Sequence, residues 1–139
     1  MKDTRKMKGS ILIVDDSKLM RVKLHQFLTD ERYLVWQAEN GIEALKILKK
    51  QRVDLVIADI HMPVMDGFAL ARKIRSDHQL ARLPILVCSS TRKRSEIVTM
   101  AQIGIQGFFL KPISPSDVLQ QVEQVFAGLR KADAETMKT

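Results

Sequence analysis

The feature that most constrains this chain is the regular alternation of short apolar runs with longer amphipathic stretches. Three of the runs are almost continuous Val, Ile and Leu, a composition typical of strands that are buried on both faces of a parallel sheet. The runs are Ile11–Val14, Leu34–Ala38, Leu55–Ala58, Ile85–Cys88 and Phe108–Leu110. We therefore predict a parallel β-sheet whose strands are separated by helices.

The stretches between the runs carry helix signals. Apolar residues recur at helical spacing over residues 17–29 and 41–50, and further helices are predicted from Gly67 to about Arg75 and over residues 94–103. A last helix is predicted to begin at Pro115, behind a Ser114 cap, and to stop near Gly128. Asn40 and Asp66 are the expected caps of the second and third helices.

Strand and helix thus alternate five times, which predicts an α/β fold with right-handed crossovers and helices on both faces of the sheet. The length of 139 residues fits a single domain. We expect the domain to occupy residues 9–129. Residues 1–8 are predicted to be a basic tail, and residues 130–139 a polar tail or the start of a linker.

The composition restricts the cellular compartment in which the protein is expected to work. The single cysteine, Cys88, excludes an intramolecular disulfide and is interpreted as a buried apolar residue rather than a reactive thiol. No apolar stretch approaches the roughly 20 residues that span a bilayer, and the N-terminal apolar run is too short for a signal peptide. A cytoplasmic protein without membrane contact is expected.

The chain is basic, with a formal net charge of +7 and a pI near 9.8. Its Lys and Arg residues are spread in short clusters with few aromatic residues among them, so the stacking pattern of single-strand binding is absent. We interpret the charge first as solvated surface and second as a surface for an acidic protein partner. Direct nucleic-acid binding is the least favoured alternative.

Polar residues follow the predicted strands where ligands bind in folds of this class, beyond the carboxyl ends of the strands. Each is ordinary by itself: an aspartate can cap a helix, and a serine or a lysine can belong to a loop. Their occurrence together at successive strand ends favours a functional site. They are Asp15 and Asp16, Asp59, Ser89 and Ser90, and Lys111.

Three converging carboxylates repel one another, so at least one pKa rises unless a cation is present. Mg²⁺ suits such a site because it takes few protein carboxylates and leaves positions for phosphate oxygens. A carboxylate can also act as a nucleophile and form an aspartyl phosphate. Lysine and serine side chains can then compensate the phosphoryl oxygens. The residues therefore predict phosphoryl capture.

The segments ILIVDDSKLMR, DLVIADIHMPVMDG, LPILVCSS and GFFLKPI strongly resemble the response-regulator receiver family, which includes the single-domain chemotaxis regulators. The resemblance covers about residues 9–129. It implies a flavodoxin-like, doubly wound parallel sheet of five strands in the order 2-1-3-4-5 with five helices. The strand-end rule used above is itself drawn from folds of this kind.

The resemblance also implies roles for single residues at the metal site. Asp59 matches the phosphoacceptor and also a metal ligand. Asp16 matches the acid that binds Mg²⁺ directly, and Asp15 the acid that usually acts through water. The backbone carbonyl of His61 matches the remaining metal ligand.

Further residues match the phosphate and switch positions of the family. Ser89 and Lys111 match the phosphate-binding residues, and Ser90 is predicted to bind phosphate with them. Ser89 and Phe108 match the switch hydroxyl and the switch aromatic residue. The bond before Pro112 is expected to be cis, as in relatives.

The loop that follows Asp59 is shaped, by the same resemblance, by Pro63 and by the turn at Asp66 and Gly67.

By resemblance, a sensor histidine kinase or phosphotransfer protein donates the phosphoryl group. Phosphorylation then changes the surface of the fourth helix, fifth strand and fifth helix, which controls an unidentified output protein and could support a homodimer. The chain is thus expected to be a signalling domain rather than an enzyme that turns over a substrate.

Two details depart from the commonest family pattern. His61 lies beside the acceptor and is interpreted as a solvated loop residue, the alternative being that it slows or guides water attack. Ile105 is bulkier than the residue common in relatives. Core packing is favoured for Ile105, and added apolar area on the output surface is the alternative.

The sequence agrees less well with three other functions. A phosphohydrolase of the haloacid dehalogenase type would carry a DxDx(T/V) signature after the first strand, where this chain reads Asp15-Asp16-Ser17. The chain could also be the receiver part of a longer regulator. A receiver-shaped module that works without phosphate is disfavoured by the complete set of acid, hydroxyl and lysine.

Overall fold

A computed structural model describes residues 6–137, which fold into alternating strands and helices. The strands are β1 (Gly9–Val14), β2 (Tyr33–Ala38), β3 (Leu55–Asp59), β4 (Ile85–Ser89) and β5 (Gly107–Leu110). The helices are α1 (Lys18–Asp30), α2 (Gly41–Lys50), α3 (Gly67–Ser76), α4 (Arg94–Ile103) and α5 (Pro115–Met137).

The strands form one parallel sheet in the order β2-β1-β3-β4-β5, which confirms the predicted fold. The register aligns the carboxyl ends of the three central strands. Val14 pairs with Ala58 across β1 and β3, and Asp59 pairs with Cys88 across β3 and β4. The residues that follow these strands therefore lie at one edge of the sheet.

The core lies on both faces of the sheet. Alternate residues of β1 show this: Leu12 and Val14 contact the apolar layer under α2, α3 and α4, while Ile11 and Ile13 contact the layer under α1 and α5. Strands β1, β3 and β4 are buried almost throughout, as their apolar composition predicts. The edge strands β2 and β5 are more exposed.

Helix caps explain several boundaries. The side chains of Asn40 and Asp66 accept hydrogen bonds from the N–H groups of Glu43 and Ala69, which confirms both predicted caps. Helix α1 is capped by the Ser17 hydroxyl, which accepts from the Met20 N–H. The preceding aspartates are therefore not needed as caps.

The predicted end of the last helix near Gly128 is wrong, because α5 continues to Met137. An interior glycine costs a helix only about 1 kcal/mol relative to alanine. The following residues, such as Ala132 and Ala134, favour helix. Residues 130–137 are consequently part of this helix. Of the N-terminal tail predicted at residues 1–8, residues 1–5 lie outside the described part of the chain.

Arg75, near the end of α3, ties several chain segments together. Its guanidinium donates to the carbonyls of Leu83 (2.6 Å), before β4, and of Ile103 (3.2 Å) and Gly104 (2.8 Å), at the end of α4. Carbonyls in the last turn of a helix have no partner within the helix, so these bonds satisfy acceptors that would otherwise need water. The C-terminal end of α4 is thereby fixed to α3.

Cys88 is buried in β4, and burial raises the pKa of its thiol to about 12. This agrees with its interpretation as an apolar core residue. Within residues 6–137, no helix is both long and apolar enough to cross a lipid bilayer.

Candidate functional site

Three carboxylates meet where β1 and β3 end. Asp59 is the last residue of β3, and Asp15 and Asp16 directly follow β1. One oxygen from each carboxylate lies within 4.8 Å of the others. Asp15 and Asp59 are only 3% and 5% exposed, whereas Asp16 is exposed. The structure thus brings together the acids that the sequence analysis singled out.

Lys111, which follows β5, completes what we call the carboxylate–lysine cluster with Asp15, Asp16 and Asp59. Its Nζ lies 3.0 Å from Asp59 Oδ2 and 3.5 Å from Asp15 Oδ2. Burial disfavours the ammonium ion, but the hydrogen bond to Asp59 and the charges of both acids outweigh it. The pKa of Lys111 is therefore raised above its usual value, and Lys111 stays a cation at neutral pH.

Asp15 shows the expected conflict between buried acids. Its pKa is raised, chiefly by burial and to a smaller extent by the charge of Asp59, while the Ser17 N–H and Lys111 act in the opposite direction. The direction matches the predicted repulsion, but loss of hydration is the larger cause. At this site an additional cation would stabilise the ionised form.

Backbone groups hold these acids in position. The Ser17 N–H donates to Asp15 Oδ1 at 2.8 Å, and the His61 N–H donates to Asp59 Oδ1 at 3.2 Å. The Arg21 guanidinium also donates to the Asp15 carbonyl at 2.6 Å. Sequence reasoning did not find Arg21. Its place one turn into α1 from the aspartates was the available signal.

Gly67 begins α3 directly against the end of β3. Its N–H donates to the Ile60 carbonyl at 2.8 Å. A Cβ at this position would collide with the Asp59 carbonyl and lie 2.8 Å from Ile60 Cα. Glycine is therefore needed here for close approach of two backbones, directly beside the buried Asp59.

A second group of polar side chains lies beside the cluster, and we call it the β4–α4 network. The buried Ser89 Oγ accepts from the Thr91 N–H at 3.1 Å. Thr91 Oγ1 donates to Glu96 Oε1 at 2.8 Å, and Glu96 Oε2 lies 3.3 Å from His61 Nε2. The network therefore joins the end of β4 to the first turn of α4 and to the loop after Asp59. Sequence reasoning missed Glu96, whose only signal was an acid in the first turn of a helix.

The other predicted residues lie at different places along the last two strands: Ser90 and Pro112 follow β4 and β5, Phe108 lies within β5, and Ile105 precedes it. Ser90 is exposed in the loop after β4, and the bond between Lys111 and Pro112 is cis, as expected. Phe108 is half-buried and packs against the core under α4. Ile105 is half-buried against the same core, which favours its packing role.

The donor atoms of the cluster suit a hard cation. Its ligand atoms are carboxylate oxygens, and the three acids together carry more negative charge than Lys111 neutralises. Magnesium prefers such a set, with few protein carboxylates and room for other oxygens. Zinc would favour nitrogen or sulfur ligands, which the carboxylate set does not supply.

Comparisons with known proteins agree with this geometry. The family model described as the response regulator receiver domain matches residues 11–123. The chain is 37% identical to the chemotaxis protein CheY-3 of Vibrio cholerae serotype O1 over 120 residues, covering 86% of this chain and 92% of that protein. It is 34% identical to the chemotaxis protein CheY of Pseudomonas aeruginosa over 117 residues, covering 84% and 94%.

Solved structures give the same result. The structure of the Vibrio cholerae chemotaxis protein CheY4 superposes with a TM-score of 0.81 at 32% identity, covering 84% of this chain and 98% of that one. The chain belongs to the response regulator receiver domain family, the signalling domains of two-component systems. This assignment replaces the phosphohydrolase alternative.

Proposed function

We propose that this receiver domain accepts a phosphoryl group on Asp59 from the phosphohistidine of a sensor histidine kinase or a phosphotransfer protein. The observation that carries the proposal is the position of Asp59 Oδ2, 3.0 Å from the Lys111 ammonium and beside two further carboxylates. A carboxylate oxygen is a nucleophile that can attack phosphorus, and the Lys111 ammonium is close enough to neutralise charge on the arriving phosphoryl group.

Each residue of the carboxylate–lysine cluster has a separate role in phosphoryl transfer. Asp59 supplies the attacking oxygen, and Lys111 neutralises charge on the phosphoryl oxygens as they approach. Asp15, Asp16, Asp59 and the His61 carbonyl would hold Mg²⁺, which when bound supplies further charge neutralisation to the phosphoryl oxygens. Backbone donors keep Asp15 and Asp59 aimed at the same point before the donor arrives.

Residues around the new phosphoryl group transmit its presence to the surface that binds a downstream protein. Ser89 turns its hydroxyl toward a phosphoryl oxygen, with Ser90 beside it, and Phe108 moves into the space that Ser89 leaves. These changes alter the surface formed by α4, β5 and α5, where a downstream protein or a second copy of the chain binds. Contacts made only in the phosphorylated form shift the population toward that surface.

The setting of this function is the cytoplasm, where histidine kinases present their phosphoryl groups. The net charge of +7 suits an acidic partner protein, and the scarcity of aromatic residues among the basic ones argues against stacking on single-stranded nucleic acid. The domain assists its own phosphorylation and dephosphorylation but is a signalling element rather than a turnover enzyme.

The test is phosphorylation by acetyl phosphate in the presence of Mg²⁺, followed by intact mass measurement. Wild-type protein is expected to gain one phosphoryl adduct, and Asp59→Asn to gain none. Asp30→Asn, which changes an exposed aspartate at the end of α1, is the matched control and should behave as wild type. A chelator should abolish the adduct.

An adduct on Asp59→Asn would place the acceptor elsewhere. A wild-type protein that neither forms an adduct nor binds beryllium fluoride, a phosphoryl mimic that needs no turnover, would overturn the proposal.

A further inference from the structure

Glu96 is the one member of the β4–α4 network that contacts two separate loops with its two carboxylate oxygens. Oε1 accepts from the Thr91 hydroxyl at 2.8 Å, and Oε2 lies 3.3 Å from His61 Nε2. The Glu96 side chain is 13% exposed although it belongs to the first turn of a surface helix. Its burial is understandable only through these partners, because an unpaired carboxylate prefers water.

The contacts of Thr91 extend this arrangement to Ser89. The Thr91 N–H donates to Ser89 Oγ at 3.1 Å, and the two hydroxyl oxygens are 3.4 Å apart. Glu96 thus fixes the rotamer and the loop position of Thr91, and Thr91 holds the hydroxyl of Ser89. A Ser89 hydroxyl that turns toward a group on Asp59 has to give up its bond from the Thr91 N–H.

We propose that Glu96 is a positioning residue that holds Ser89, through Thr91, in the conformation of the unmodified domain. The inference rests on the proposed phosphoryl capture at Asp59. Hydrogen bonds that exist only in the unmodified conformation stabilise it relative to the phosphorylated one. Removing them therefore favours binding of a phosphoryl group or its mimic.

We attribute the effect to the hydrogen bond between Thr91 and Glu96. Substitutions at position 96 distinguish this hydrogen bond from simple electrostatic repulsion between Glu96 and the phosphoryl anion. A glutamine at position 96 keeps an oxygen that can accept from Thr91 but removes the negative charge beside the incoming anion. An alanine removes both. If Glu96 acts by positioning Thr91, the two variants should differ in their affinity for a phosphoryl mimic. If Glu96 acts only by repelling the anion, their affinities should be the same.

The experiment is titration of the metal-loaded protein with beryllium fluoride, with binding followed by amide NMR shifts around Asp59. Glu96→Ala is expected to bind about fivefold more tightly than wild type, the size of one lost hydrogen bond in the competing conformation. Thr91→Val, which loses the hydroxyl but keeps the N–H, should show a similar gain. The double variant should add little to either, because both changes break the same contact.

Glu96→Gln is expected to bind as wild type does, within about twofold. Ser95→Ala, in the same turn, and Glu123→Ala, an exposed helix carboxylate, serve as controls for helix disturbance and for net charge, and both should match wild type. Urea unfolding of each variant verifies that the fold is intact.

Affinities of Glu96→Ala and Thr91→Val equal to that of wild type would overturn the inference. So would a Glu96→Gln variant that gains as much affinity as Glu96→Ala, since charge alone would then explain the effect. A wild-type protein without beryllium fluoride binding would instead refute the proposed function, so the two failures are distinguishable.

Discussion

The carboxylate–lysine cluster and the β4–α4 network share one edge of the sheet but are held in place differently. Asp15 and Asp59 adjoin the ends of buried central strands and receive backbone N–H donors. The network depends mainly on contacts between side chains, such as the hydrogen bond from Thr91 to Glu96, and includes one backbone donor, the Thr91 N–H that bonds Ser89. Single side-chain bonds contribute about 1 kcal/mol and are easily exchanged. The comparison indicates a fixed centre for chemistry beside a group of residues that can rearrange.

The largest expected effect concerns Lys111. Lys111→Met should lower the rate of adduct formation from acetyl phosphate about 100-fold, because a preorganised charge on the phosphoryl oxygens is lost. Intact mass against time measures this rate. Lys46→Met, a change of an exposed lysine on α2, is the control. A loss below about threefold, less than a single hydrogen bond contributes, would show that the lysine is not part of the fixed centre.

The next effect concerns the backbone that supports Asp59. Gly67→Ala should lower the free energy of unfolding by about 2 kcal/mol, because its Cβ would overlap backbone atoms that cannot move aside. Gly128→Ala is the matched change, since a Cβ there meets no described atom within 4 Å, and it should stabilise α5 by about 0.5 kcal/mol. Urea unfolding measures both. Equal effects would show that the loop after β3 is not rigid.

A smaller effect tests the burial of charge at Asp15. The pKa of Asp15 is raised in the folded protein. Above that pKa the ionised carboxylate therefore lowers the free energy of unfolding, and this loss is removed as the pH falls and the carboxyl binds a proton. Asp15→Asn should therefore stabilise the metal-free protein by about 1 kcal/mol at pH 7. The gain should disappear below the unfolded pKa of about 4. Unfolding curves with a chelator from pH 3 to 8 measure it; a gain independent of pH would contradict this account.

The smallest effect belongs to the network. Ser89→Ala should slow adduct formation only about threefold, since one neutral hydroxyl contact is lost. It should reduce the change in the NMR signals of Phe108 on phosphorylation much more. Thr99→Ala, on α4, is the control. A loss as large as that of Lys111→Met would remove the distinction between the two regions.

Much of the fold and part of the site could be predicted from sequence because the relevant signals are local. The apolar runs of β1, β3 and β4 are nearly continuous, and the aspartates, serine and lysine lie at strand ends in the chain itself. The end of α5 was mispredicted because one glycine is a weak stop signal when helix-forming residues follow it.

Glu96 and Arg21 were missed for a different reason. Their partners are set by how loops pack in three dimensions, and a charged residue in the first turns of a helix is common without any such partner. The pairing of Glu96 with Thr91 and His61 depends on the spacing between α4 and the loop after β3. No periodic pattern in the chain encodes that spacing.

The bonds of Arg75 have a mechanical consequence for α4. They clamp the C-terminal end of the helix at Ile103 and Gly104, while its first turn is tied to the loops through Glu96. A helix of ten residues is about 15 Å long. Loss of the Glu96 contacts would therefore let α4 pivot about its C-terminal end, which Arg75 holds. The first turn of the helix, which lies nearest Asp59, would then move furthest.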